Sequence, residues 1–192
     1  YLLGTPEEFA NCYEPSWGRH RKRTRPSPGN NDYETPDAAG YFAYFGALAG
    51  PPGLGYYAYD VGAWRMISLN SNGSRPDQVL WLASELAANP RTCTLAYWHH
   101  ARFSSGPHGS DPRMDEAIRL LYNAGVDVVL VGHDHIYERF ARQGPDGQPD
   151  DERGFRQFVA GTGGSGLYPL VTVAPNSEFR YNQGYGVLKF QL

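Results

Sequence analysis

One stretch restricts the fold more than any other: Val126-Asp127-Val128-Val129-Leu130-Val131, a short β-branched run that ends in Gly132-His133-Asp134-His135. A run this short and apolar reads as a parallel strand buried on both faces. Its carboxyl end opens on the crevice where α/β proteins place their ligands. In an extended backbone, side chains two apart share a side, so His133 and His135 are expected to project together while Asp134 turns away. Two imidazoles placed in this way suit a metal ion. Taken alone, the pair also reads as two hydrogen-bonded histidines at a strand end.

Other stretches bear on the choice. Cys93-Thr94-Leu95-Ala96-Tyr97-Trp98 is a second strand candidate, and it too ends in imidazoles, His99-His100. Pro26-Ser27-Pro28-Gly29-Asn30-Asn31-Asp32 is a proline-stiffened approach to a glycine turn, which presents polar side chains in a fixed direction. Pro76 to Ala88 reads as a helix with Val79, Leu82 and Leu86 inward, and Asp115 to Asn123 as another, stopped by Gly125. Tyr56 to Tyr59 and Ala63 to Leu69 flank Asp60-Val61-Gly62 as a hairpin. The order strand, helix, strand, helix, strand through Val131 implies crossover connections and a largely parallel layer, hence an α/β fold. Phe155 to Ala160 and Gly186 to Leu192 are further strand candidates. The glycine-rich Gly161-Thr162-Gly163-Gly164-Ser165-Gly166 lies between them and reads as a tight loop near the site or, alternatively, as a phosphate cradle.

At the amino end, Thr5-Pro6-Glu7-Glu8 starts a helix with Thr as its cap and Phe9, Cys12 and Tyr13 on one face, expected to pack on the sheet. Arg19 to Arg25 holds five of the 17 basic residues without interleaved apolar periodicity and reads as a solvated face. Tyr41, Phe42, Tyr44 and Phe45 form an apolar helical stripe assigned to the core. Asn72-Gly73-Ser74, formally a glycosylation sequon, is read as a turn. The 192 residues suit one domain, 1–192. A net charge of -3 provides no general attraction to nucleic acid or anionic membrane, and no window approaches the roughly 18 apolar residues of a membrane span. Cys12 and Cys93, the two cysteines, are too few for a thiolate zinc cluster and read as a disulfide or as two free thiols.

In combination, Gly29-Asn30-x-Asp32, strand-His99-His100 and Gly132-His133-x-His135 resemble the calcineurin-like metallophosphoesterases, including the purple acid phosphatases. Tyr13-Glu14-Pro15-Ser16-Trp17-Gly18-Arg19, Trp98 to Gly106 and Gly161 to Gly164 look like the secreted bacterial branch of that family. The resemblance implies an α/β/β/α sandwich and hydrolysis of phosphate monoesters or diesters by hydroxide activated at two metal ions, iron, manganese or zinc. It implies Asn30, His99 and His133 as ligands of one metal and His135 of the other. His100 and His108 are candidates for contacting substrate or protonating the leaving group, or else are surface histidines, and Asp32 and Asp134 are candidates for orienting the ligands or stabilising loops. A small phosphate ester is the implied partner and the extracellular or periplasmic space the implied location. The likeness to exported enzymes also favours the Cys12–Cys93 bridge.

Two departures qualify it. The family's Asp-x-His and Gly-Asp-x-x-Tyr motifs, which supply a terminal ligand and a bridging carboxylate, are missing: no aspartate precedes Asp32, and Tyr1 falls where the second motif's tyrosine would end. The chain thus reads as a partial, N-terminally truncated domain whose His135 site is short of ligands. Asn31 stands where family members carry histidine, and an amide cannot deliver a proton, so catalysis would fall by a factor of about 10² to 10⁴ unless His100 or His108 substitutes. The competing reading is a noncatalytic member that keeps the scaffold and at most one metal.

Overall fold

The β-branched run forms strand β4, Val128–Val131, at the centre of a mixed sheet in the computed structural model, which describes residues 1–73 and 75–191. The other strands are β1 (Tyr57–Val61), β2 (Trp64–Ser68), β3 (Cys93–Tyr97), β5 (Tyr137–Phe140), β6 (Arg156–Ala160) and β7 (Ser177–Tyr181). They lie in the order β1-β2-β3-β4-β6-β5-β7. The neighbours β2, β3, β4 and β6 run parallel, whereas β1, β5 and β7 pair antiparallel. Helix α3 (Pro76–Ala88) makes the crossover from β2 to β3 and α4 (Asp115–Asn123) that from β3 to β4, as the sequence pattern requires. Leu82 of α3 and Ile118 and Leu121 of α4 join Ile67, Ala96, Val129 and Val159 of the strands in one buried core. Each such side chain contributes about 1.5–3 kcal/mol by leaving water.

The amino-terminal elements build a second, smaller core. Thr5 caps a short helix α1 (Pro6–Glu8) through a capping box, and the chain continues as a π turn over Phe9–Tyr13. Contrary to expectation this segment packs not on the sheet but on α2 (Ala39–Phe45). Phe9 stacks on Tyr44 with ring centres 5.0 Å apart and meets Phe45 edge-on at 5.8 Å. The aromatic stripe of α2 makes that choice, because it offers rings to a partner that is itself aromatic. The basic stretch forms an exposed 3₁₀ turn, Gly18–Arg23.

Hydroxyl groups tie the loop that follows to the sheet. Tyr57 of β1 and Ser68 of β2 both donate to the Pro26 carbonyl, and Tyr97 of β3 donates to the Arg25 carbonyl. Ser27 reaches the Leu69 carbonyl, and Asn72 donates to Pro28. Gln78, buried on the first turn of α3, brackets Asn70 by accepting from its N–H and donating to its C=O. Asn30 is thereby delivered to the carboxyl end of the parallel strands.

Several expectations need correction. The hairpin pairs Val61 with Trp64, so its turn is Gly62-Ala63 rather than Asp60-Val61-Gly62. Gly186 to Gln191 is not a strand, and Leu192 lies outside the described residues. Asn72 is buried with its amide engaged, which leaves nothing for glycosylation to reach; Ser74 of that triplet also lies outside the described residues. Cys12 is exposed, Cys93 is half-buried, and both are free thiols rather than a bridge. No described helix is long and apolar enough to cross a membrane.

Candidate metal centre

Parallel pairing between β3 and β4 continues past the ends of both strands. Trp98 donates to the Leu130 carbonyl and Gly132 to the His99 carbonyl, which sets the two histidine segments side by side. His133 and His135 both line one cavity while Asp134 turns away, but not by the expected extended geometry, because the strand stops at Val131 and His133 has a φ of 67°. That left-handed conformation costs a residue with a side chain about 1 kcal/mol, and it turns the imidazole toward His99. His133 Nδ1 lies 3.1 Å from His99 Nε2, and Asn30 Oδ1 lies 2.7 Å from the same nitrogen.

Amide oxygen and neutral imidazole nitrogen are metal-ligand atoms, and here three of them meet. Burial holds His99 down at about 3 and His133 at about 4, helped by the neighbouring imidazoles His100 and His108 respectively. Both rings therefore keep lone pairs free at ordinary pH, with the His99 proton able to reside on Nδ1. The ligand atoms of His99, His100 and His133 all lie within 4.8 Å of one another, so three imidazoles meet the spacing for a metal. His100, however, is 3% exposed and has both nitrogens occupied, Nδ1 by the Ser71 hydroxyl at 2.8 Å and Nε2 by the Arg113 guanidinium at 3.1 Å. Asn30 thus completes the cavity-facing set more directly than His100 does.

A cavity of about 500 Å³ opens over this cluster, and its walls include Asn30, Asn31, His99, His108, His133 and His135. His135 is turned by a hydrogen bond from Nδ1 to the Gly166 carbonyl at 2.7 Å and stacks on Tyr168 at 4.0 Å, so Nε2 retains its lone pair. His108 is exposed and stacks on His133 at 4.0 Å. Its backbone N–H donates to Asp134. Of the candidate ligands and catalytic groups singled out in the sequence, His100 is not among the residues that line the cavity.

The two aspartates shape loops. Asp32 is buried, caps its turn by accepting from the Gly29 N–H at 2.7 Å, and accepts from the Tyr1 hydroxyl at 2.9 Å; burial pushes it up to about 6. Asp134, 1% exposed, accepts from the Ser104 hydroxyl and so holds the His108 loop. The glycine-rich segment passes so close that a Cβ on Gly161 would sit 1.9 Å from the Asp134 carbonyl oxygen. This is the tight-loop reading of that segment. Tyr168 lines the cavity without any periodicity or motif that would have flagged it, whereas Ser165 lines it from the glycine-rich segment expected to lie near the site. Tyr1, noted only as the end of a motif, lines it too.

Comparison with known proteins gives a consistent picture. The profile of the calcineurin-like phosphoesterase family matches residues 6–137. Purple acid phosphatase 22 of Arabidopsis thaliana is 34% identical in an alignment 150 positions long that covers 70% of this chain and 34% of that protein. Purple acid phosphatase 21 of the same plant is 29% identical in an alignment 167 positions long that covers 73% of this chain and 38% of the relative. Purple acid phosphatase PPD1 from yellow lupin (Lupinus luteus) seeds superposes with a TM-score of 0.65 at 19% identity, over 84% of this chain and 32% of that one. A structure of PhoD superposes with a TM-score of 0.55 at 12% identity, over 83% of this chain and 42% of that one.

Proposed function

The chain belongs to the calcineurin-like phosphoesterase family, and on that footing we propose that it carries ligands and substrate contacts of a metal-dependent phosphoesterase acting on phosphate monoesters or diesters. It spans about a third of the length of the curated relatives it matches, 34% and 38% of the two described above. What supports the reading is the meeting of Asn30 Oδ1, His99 Nε2 and His133 Nδ1 at one wall of the cavity. These atoms would hold one cation, with His135 Nε2 offered to a second; iron, manganese and zinc all suit such a mixture of nitrogen and oxygen. Bound cations would neutralise the phosphate oxygens and make water acidic enough to attack near neutral pH.

The remaining duties fall to this chain's side chains. His108, exposed beside the cluster on a backbone pinned by Asp134, is the group free to protonate a leaving oxygen. His100 is not, since both its nitrogens are used and burial holds it at about 3. Asn31 offers its amide N–H groups to a phosphate oxygen. The likeness of Tyr13 to Arg19 to exported relatives supports a location outside the cytoplasm.

A second reading, a noncatalytic module that retains at most one metal, is favoured by Asn31, an amide that cannot deliver a proton. Metal analysis combined with hydrolysis of a chromogenic phosphate ester separates the two. Bound metal with turnover supports the enzyme, whereas bound metal without turnover, or no uptake of iron, manganese or zinc at neutral pH, refutes it and supports the module.

A further inference from the structure

The geometry points to Asn31 as a positioning residue that selects which end of the Asn30 amide faces the imidazoles. Asn30 Nδ2 donates to Asn31 Oδ1 at 3.0 Å while Asn30 Oδ1 faces His99 Nε2 at 2.7 Å. A side-chain amide has one end that accepts and one that donates, and only the oxygen end binds a cation. Turned over, Asn30 would present its NH₂ group to the ligand cluster and block it. His99 cannot prevent this, because an imidazole with its proton on Nδ1 accepts from an amide N–H as readily as a protonated Nε2 donates to an amide oxygen.

Backbone motion does not decide it either. The loop is held by Ser27 on the Leu69 carbonyl, by Asn72 on the Pro28 carbonyl and by the Asp32 cap on Gly29. The remaining freedom is rotation of the two amides, and these are coupled. If Asn30 alone turns, its oxygen meets the Asn31 oxygen and both lose a partner, so the orientation of Asn30 follows that of Asn31. With both in the observed sense, Asn30 offers oxygen to a cation and Asn31 offers N–H groups to the cavity it lines. An amide at position 31 therefore has a task that needs no proton, which accounts for its standing where a proton donor was expected. This inference rests on the metal-binding reading for its purpose but not for its geometry.

Three proteins test it: the chain as it is, Asn31→Asp, which can only accept toward Asn30, and Asn31→Leu, which cannot accept. Side-chain amide NMR reads the contact without metal or ester. Hindered rotation and slowed exchange of the Asn30 NH₂ group are expected in the parent and in Asn31→Asp, and faster rotation and exchange in Asn31→Leu. Titration with zinc or manganese should then show affinity reduced roughly 10- to 100-fold in Asn31→Leu, and held or raised in Asn31→Asp. Identical Asn30 amide behaviour in the parent and the leucine variant overturns the inference, as does equal metal affinity in the two. A parent that binds no metal yet shows the Asn30 contact refutes the functional reading and leaves the orientation standing.

Discussion

Glu138 is the most demanding test of how this structure is held together. Its carboxylate is wholly buried on β5, and it accepts from the Ser105 N–H at 2.8 Å, the Ser105 hydroxyl at 2.5 Å and the Ser177 hydroxyl at 2.5 Å, the last of which accepts in turn from the guanidinium of Arg180, the cross-strand neighbour of Glu138. Ser105 in turn accepts from the Ala174 and Val171 N–H groups, so one carboxylate fastens the His108 loop and the segment carrying Tyr168 to the sheet. Replacing Glu138 with alanine strands a buried backbone donor and two hydroxyls, each at about 1–3 kcal/mol, although the hydroxyls can partly turn to new partners. The net loss should be about 3–5 kcal/mol, a large part of the roughly 5–15 kcal/mol that a domain has. At about 2–4 °C per kcal/mol for a chain of this size, the melting point should fall by about 6–20 °C. Glutamine should cost only about 1–2 kcal/mol: its oxygen can take the backbone N–H while its NH₂ donates to hydroxyls that reverse. Urea unfolding of the three proteins at pH 7, compared at equal m-value, measures this directly. An alanine variant within 1 kcal/mol of the parent, or a glutamine variant as damaged as alanine, would refute the account.

Acid should weaken the metal-stripped protein. Burial holds His99 and His100 at about 3 against an ordinary 6.5, so the unfolded chain takes up their protons first, and their stabilisation is full above 6.5 and lost as pH falls. Asp32, raised to about 6, acts in the opposite sense. Two histidines against one carboxylate give a decline of about 1.4 kcal/mol per pH unit between pH 6 and 4, with a smaller addition from half-exposed His133; flat stability over that range in chelator-treated protein contradicts the assignment. Thiol titration of denatured, unreduced protein should find two reactive groups, Cys12 and Cys93, and finding none would restore the disulfide. Gly161→Ala should be strongly destabilising, by more than about 2 kcal/mol, because its Cβ would lie 1.9 Å from a carbonyl oxygen; a melting temperature unchanged from the parent counts against the tight-loop reading.

The sequence was most informative where one period dominated. Helices α3 and α4 span the residues expected, Pro76–Ala88 and Asp115–Asn123, and β3 and β4 carry His99 and His133 just past their ends. Strands β5 and β7 escaped notice because Tyr137-Glu138-Arg139-Phe140 sets two adjacent charges between aromatic residues and Ser177-Glu178-Phe179-Arg180-Tyr181 alternates charge with aromatic residues. One of those charges, Glu138, is buried by partners far away in sequence, and a bulge interrupts their pairing. The backbone bend at His133 was equally hidden, since extended geometry was the only basis for aiming that side chain. Hydrogen bonding across 29 residues removed His100 from the cavity, and no local pattern reports a contact of that range.

The bend at His133 has a consequence for how the chain's history is understood. Glycine adopts a φ of 67° freely, so a polypeptide answerable only to its own folding would gain about 1 kcal/mol by carrying glycine there. Retaining an imidazole at that point is a standing loss of thermodynamic margin. The chain bears the same posture at Asp37, Ala38 and Asn176, so what sets position 133 apart is where the bend delivers its ring, with Nδ1 3.1 Å from His99 Nε2.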